Sequence, residues 1–320
     1  MTAALLMLVY ALAVAWCLPP LLARLTAAGT SPRLGLTAWL IALASVLGCV
    51  VAAIQFLIRA AIAGWPLLAE AICRSVAGHA CAPVVYRSAI FEIPLAAAAL
   101  SAALTSAVLA WRYGRRVQQA QRRMHAHAEA ARITGHRMPS ASGTVVLDVP
   151  HPAAYCVPGR PATIVLTTGA LAVLDPEQLT AVIAHEKAHL AGSHHLLVAL
   201  TRGLSAIFPG VPLFSIGPGE VARLAEMRAD DSAARISGRP ALVAALLAMG
   251  TGAVVPALAL GATGRDVAAR VQRLLEPTPR GQHLCNRLAL ITVILLLTVA
   301  AGLLTRFSDP LAAHVWQLVP

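Results

Sequence analysis

Residues 175–190 read Asp-Pro-Glu-Gln-Leu-Thr-Ala-Val-Ile-Ala-His-Glu-Lys-Ala-His-Leu. Asp175 is a good N-cap, Pro176 suits the first helical position, and Gln178 completes a capping box. Leu179, Val182, Ile183 and Leu190 give the predicted helix an apolar face to bury. On that helix His185 and His189 stand four residues apart and share one face. Two imidazoles so placed can hold one zinc ion, and the neighbouring Glu186 can act as general base toward a water. Lys187 points away from that face, into solvent.

A catalytic metal site also needs a third protein ligand and one open position. The stretch Glu226-Met227-Arg228-Ala229-Asp230-Asp231 offers Glu226 as that ligand. Asp230 lies one turn further on the same face, placed to accept a hydrogen bond from a ligand histidine and fix its tautomer. Asp231 is the weaker candidate for that role. A fourth protein ligand would instead mark a structural site, and His194 or His195 is near enough in sequence to supply one.

The chain around these motifs is not that of a soluble enzyme. Of its 320 residues 58% are hydrophobic and 12% charged, where soluble domains carry about a quarter charged residues. Its mean hydropathy is +0.73, so lipid must solvate part of it. Four apolar segments are long enough to cross a bilayer: about 4–22, closing at Pro19 and Pro20, then 36–57, 89–111 and 288–304. The runs 196–217 and 241–262 are rejected as spans. A crossing at 196–217 would separate Glu226 from His185, although this run could dip into the membrane surface. A crossing at 241–262 would place Arg265, Arg270 and Arg273 outside.

The net charge of +11 fits the positive-inside bias. Arg24 and Arg33 lie between the first two spans, five arginines (Arg112, Arg115, Arg116, Arg122, Arg123) follow the third, and Arg280 and Arg287 adjoin the fourth. These regions belong on one side, the cytoplasm, leaving the 63–87 loop outside. Direct nucleic-acid binding is not expected, because only Trp111 and Tyr113 interleave with the basic run.

The expected architecture is a mainly α membrane protein of four transmembrane helices with an inserted α+β metalloprotease domain. Residues 1–112 hold three spans, 113–285 a cytoplasmic zinc domain, and 286–320 the fourth span and a short outer tail. Within the domain, 115–135 reads as a polar helix leaving the membrane and 143–168 as a small sheet. No cysteines form a C-x-x-C pair, but Cys73 and Cys81 share the outer loop and form the one expected disulfide.

The run from Ile164 to Asp231 resembles the gluzincin membrane peptidases. The matching pieces are Ile164 to Leu171, Leu179 to His189, His195-Leu196, Phe208-Pro209 and Glu226 to Asp231, with Arg270 to Leu275 beyond them. The chain looks closest to the M56 family of BlaR1/MecR1-type antibiotic-sensor proteases. The M48 family of Ste24-like and HtpX-like proteases is a more distant resemblance. This likeness implies His185, His189 and Glu226 as zinc ligands, Glu186 as base, and His195 as a residue of the family pattern near the site. It also implies that the strand at 162–168 is an edge strand able to pair with an extended substrate. Residues 305–320 carry no S-x-x-K motif, so direct β-lactam sensing is not expected.

The leading expectation is therefore a multi-pass zinc metalloendopeptidase cutting a cytosolic protein, or itself, in regulatory signalling. A BlaI-like repressor is the substrate that the resemblance suggests, and a second copy of the chain, in a homodimer, is a further partner. The alternatives are an M48/HtpX-like protease for membrane-protein quality control and a non-catalytic signalling scaffold with structural zinc.

Overall fold

Apolar runs that lack turn residues fold into long helices. In the computed structural model, which describes residues 2–64, 89–159, 161–250, 264–276 and 279–306, the first two are α1 (Thr2–Thr26) and α2 (Pro32–Gly64). They pack antiparallel around a tight turn in which Gly29 adopts φ +57°. Pro19 and Pro20 do not close α1, contrary to the sequence expectation; both lie inside it. Proline removes a helical donor, but spans tolerate it where neighbouring helices hold the backbone. Here Leu22 and Thr26, beyond the prolines, are buried against the rest of the molecule.

The next helix, α3 (Ala89–Thr134), is one continuous element. Its second half is the expected polar helix. It leads into a four-stranded sheet of β1 (His136–Arg137), β2 (Thr144–Leu147), β3 (Ala154–Val157) and β4 (Thr163–Thr167). The remaining helices are α4 (Thr168–Val173), α5 (Pro176–Ala191), α6 (His194–Ser205), α7 (Pro212–Ser237), α8 (Arg239–Gly250), α9 (Gly264–Leu275) and α10 (Arg280–Arg306). The run 196–217 is split between α6 and α7 around Phe208-Pro209-Gly210 and forms no span.

Three helices among the described residues are long and apolar enough to cross a membrane: Ala3–Thr26, Pro32–Ala61 and Gly281–Leu304. The expected third span, 89–111, is the first half of α3 and is not among them; the side chains of 89–93 and 95 are outside the described set. Leu100, Leu104, Val108 and Trp111 on that half are exposed. Cys73, Cys81 and the rest of 65–88 lie outside the described residues, so the expected disulfide does too.

The sheet corrects one expectation. Its strand order is β1-β2-β4-β3. The strand at 163–167 is interior, paired parallel to β2 and antiparallel to β3, with all five residues buried. Both its backbone edges are used, so it cannot accept a substrate strand. The edge on the side of the helix that carries His185 and His189 is β3, which packs against α5.

The main core joins the long apolar helices to the helix that carries Glu226. Met7, Leu22, Trp39 and Ala42 from α1 and α2, and Leu290 from α10, share it with Leu213, Phe214, Val221, Leu224 and Met227 of α7. Trp39 is fully buried, and its ring lies over Gly217, where an added Cβ would meet it at ordinary contact distance. Glycine is needed at 203, where a Cβ would come within 2.9 Å of the Tyr113 ring. That close approach lets the Tyr113 hydroxyl donate to the Leu200 carbonyl at 3.3 Å, tying α3 to α6. On the far side, Ala128 and Ala131 of α3 bury against Val157 and Val165 of the sheet.

Candidate metal centre

The two histidines stand on α5, which begins as the sequence predicts. Asp175 accepts from the backbone N–H groups of Glu177 and Gln178, both at 2.9 Å, and the Gln178 side chain accepts from the Asp175 N–H, closing the capping box. Val182 is buried, and Leu179 and Ile183 pack against the same cluster. The opposite turn of α5 presents His185 and His189 to α7, where Glu226 meets them.

The three side chains converge. His185 Nε2 lies 3.0 Å from His189 Nε2 and 3.4 Å from Glu226 Oε2, and His189 Nε2 lies 3.4 Å from Glu226 Oε1. One ligand atom from each residue falls within 4.8 Å of the other two. A tetrahedral ion with bonds of 2.0–2.1 Å has ligand-to-ligand edges of about 3.3 Å, so this donor triangle has the size of one face of such a site. Two nitrogens and a carboxylate oxygen also match zinc chemistry.

Each ligand has a second partner behind it. His185 Nδ1 lies 3.1 Å from Asp230 Oδ1, the contact expected from the sequence, though its N–H is not well aligned with the oxygen. Behind His189 the structure places His194, not His195. His194 is fully buried, and its Nδ1 is 3.0 Å from His189 Nδ1. His195 Nδ1 is buried with no hydrogen-bond partner among the described residues. Ser193, in the left-handed conformation at φ 49°, makes the turn between α5 and α6 that brings His194 back onto His189. The turn also needs Gly192, because a Cβ there would strike the His194 ring.

The structure adds a residue given no role in the sequence reading. Arg270 of α9 is buried at 7% exposure and forks onto Asp230, with Nε to Oδ2 at 2.8 Å and Nη2 to Oδ1 at 2.6 Å. Its Nη1 is 3.0 Å from Glu226 Oε2. One guanidinium thus ties the third ligand to the carboxylate behind His185. The sequence signal was only the familiar run Arg270 to Leu275; the contact spans 40 residues.

The electrostatics follow from this packing. Burial opposes the charge on Glu226, but His185, His189 and Arg270 hold its carboxyl well below the usual range. Burial likewise opposes the charge on Asp230, and Arg270, then His185, keep it ionised. Burial alone would depress His185, yet Asp230 and Glu226 outweigh it and push it up to about 10 in the metal-free chain. His194 goes the other way: burial, His189 and Arg228 lower it to about 3, so it stays neutral. A neutral His194 can accept the His189 Nδ1 proton, leaving the His189 Nε2 lone pair facing Glu226.

Glu186 is buried beside the ligands and lies against the Cys156 thiol of β3. Burial, then Glu186, raises the pKa of that thiol, so it stays protonated. Lys187 is exposed, as expected. His185, Glu186, His189, Glu226 and Asp230 therefore come together in one place, His195 does not join them, and His194, Arg270 and Cys156 do.

The model of Peptidase family M48 matches residues 115–217. The match covers about a third of the chain. It contains His185, Glu186 and His189 and ends before Glu226. It falls on M48, which the sequence resemblance placed further away than M56. No solved structure matches the chain.

Proposed function

We propose that this chain is a membrane-embedded zinc metalloendopeptidase of the M48 kind, acting on proteins at the membrane in which it sits. The observation that carries the reading is the convergence of His185, His189 and Glu226 at tetrahedral-edge distances, with Glu186 buried beside them. His194 argues against a closed structural site, because it meets His189 at Nδ1 and not at the metal-facing Nε2.

A zinc ion held there supplies a Lewis acid that activates water and polarises a carbonyl. Glu186 takes the proton of the attacking water and returns it to the leaving amine. Asp230 and His194 keep the two imidazoles in the tautomers that present Nε2. The free edge of β3, against α5, offers backbone partners to an extended substrate. Residues 89–111 of α3 are read as a fourth crossing, and the arginine pattern supports a cytoplasmic metal domain.

The test is metal analysis beside a hydrolysis assay on the purified full chain. One zinc per chain is expected, lost when His185 and His189 are both replaced by alanine. Glu186→Gln should retain zinc and abolish peptide hydrolysis. Hydrolysis surviving Glu186→Gln would sink the assignment. The match to M48 favours quality control of membrane proteins over regulatory cleavage of one cytosolic target such as a BlaI-like repressor. Proteomes of cells carrying wild type and Glu186→Gln separate the two. Many accumulated membrane-protein fragments support quality control; one or a few stabilised regulators support the regulatory alternative.

A further inference from the structure

A cavity of about 350 Å³ lies one layer from the metal centre. Thr30 of the α1–α2 turn, Asp231 and Arg235 of α7, Arg239 at the start of α8, Arg273 of α9 and His283 of α10 line it. Three guanidiniums and an imidazole thus face one carboxylate. Asp231 is already engaged, 2.8 Å from Arg273 Nη2. Among the described residues, Arg235 holds only the Ser232 hydroxyl, at 3.3 Å, and Arg239 has no ion pair. Both side chains are exposed. Thr30 Oγ1 is buried and has no hydrogen-bond partner among the described residues. Asp231 is matched by Arg273, so the cavity has two guanidiniums without a carboxylate and a hydroxyl without a partner among the described residues.

Its position says which anion. Thr30 lies between the span that ends at Thr26 and the one that begins at Pro32, and His283 lies in the first turn of the span Gly281–Leu304. The ends of all three spans meet at this cavity, the depth at which phospholipid headgroups lie. Basic cavities between span ends take anionic headgroups, and the arginine fork matches phosphate oxygens.

We propose that this cavity binds the phosphate of an anionic phospholipid headgroup, held by Arg235 and Arg239 with Thr30 as a hydroxyl donor. The site stands apart from the metal ligands but touches their support. Arg273 also donates to the Gly29 carbonyl at 2.9 Å, and Asp231 and Arg273 stand one and three residues from Asp230 and Arg270. A bound headgroup would compete with Asp231 for Arg273, beside the helix that carries Glu226.

The experiment is native mass spectrometry of the delipidated full chain, titrated separately with phosphatidylglycerol, phosphatidylcholine and inorganic phosphate. It reads binding alone, so it fails independently of the protease assignment. One saturable phosphatidylglycerol per chain is expected, with no comparable phosphatidylcholine. The double variant Arg235→Gln, Arg239→Gln should bind phosphatidylglycerol about thirty-fold more weakly, at about five-fold per basic residue near a membrane surface. Arg137→Gln, on β1, should bind as wild type. A double variant that binds like wild type overturns the site. Inorganic phosphate binding with the same midpoint as the lipid overturns the headgroup assignment. A second measurement needs no variant: a photoreactive phosphatidylglycerol should crosslink wild-type chain near 235–239 or 283, and crosslinks found only elsewhere refute the proposal.

Discussion

Arg270 holds two carboxylates, the buried Asp230 and the largely covered Glu226, that would otherwise repel each other. Its fork on Asp230 and its contact with Glu226 offset burial costs of several kcal/mol per ion. Arg270→Gln should destabilise the metal-free chain by about 3–5 kcal/mol. A metal ion would take over part of that compensation at Glu226. Zinc should therefore raise the thermal midpoint more in Arg270→Gln than in wild type, read by scanning calorimetry; equal shifts would show that the Arg270 charge does not hold the ligand. His194 is tested by comparison with its neighbour. His194→Ala removes the acceptor behind His189 and should weaken zinc binding about 10–100-fold, whereas His195→Ala should leave it unchanged, read by competition with a chelating dye. These two residues also mark how far the sequence reads. Helical spacing makes two pairs legible, His185 with His189 and Glu226 with Asp230, each on one face of its own helix; that the two faces meet is implied by the family resemblance and not by spacing. His194 was not, because the left-handed Ser193 decides which of two adjacent histidines turns inward. Arg270 was not, because no local spacing reports a contact across 40 residues.

At the scale of elements, helices were read more surely than strand neighbours. The capping box at Asp175 is a local arrangement, and it forms where the sequence puts it. Strand order is a long-range property. The run Thr163 to Thr167 carries a signal about its faces and none about its edges: the continuous Ile-Val-Leu stretch points to burial on both faces, whereas pairing on both edges depends on where β2 and β3 fall. The prolines of α1 misled for the related reason that packing outweighs a local propensity. The α5–α6 junction allows a test at this scale. Ser193 makes no side-chain cap bond and holds a conformation that costs a non-glycine residue about 1 kcal/mol or more. Ser193→Gly should therefore raise the thermal midpoint and leave zinc content unchanged. A lower midpoint would mean that the serine side chain has a role its contacts do not reveal.

At the scale of the molecule, the helices able to cross a membrane share one core with the helix that carries Glu226, so the candidate metal centre is fixed relative to those helices. Thr26, the last residue of the first span, has its hydroxyl 3.3 Å from Glu220 of α7, and Arg223 donates to the Thr26 carbonyl at 3.0 Å. Glu226 follows Glu220 by six residues on the same helix, a rise of about 9 Å at 1.5 Å per residue. This sets a reach. About three residues of extended chain, at roughly 3.3 Å each, cover the distance from the end of the span to the reacting atoms. A polypeptide leaving the bilayer needs only a short stub to be cut, whereas a folded soluble domain would have to unravel a loop to descend to the same depth. Cleavage sites mapped by mass spectrometry should therefore crowd immediately beside the transmembrane segments of substrates. Sites spread evenly through soluble domains would mean that the centre is not held at that height. With the helix that carries Glu226 pinned to α1 through Thr26, a membrane around the spans would act as a ruler, and a protease working at this centre would select a bond by its distance from the lipid as well as by the residues that flank it.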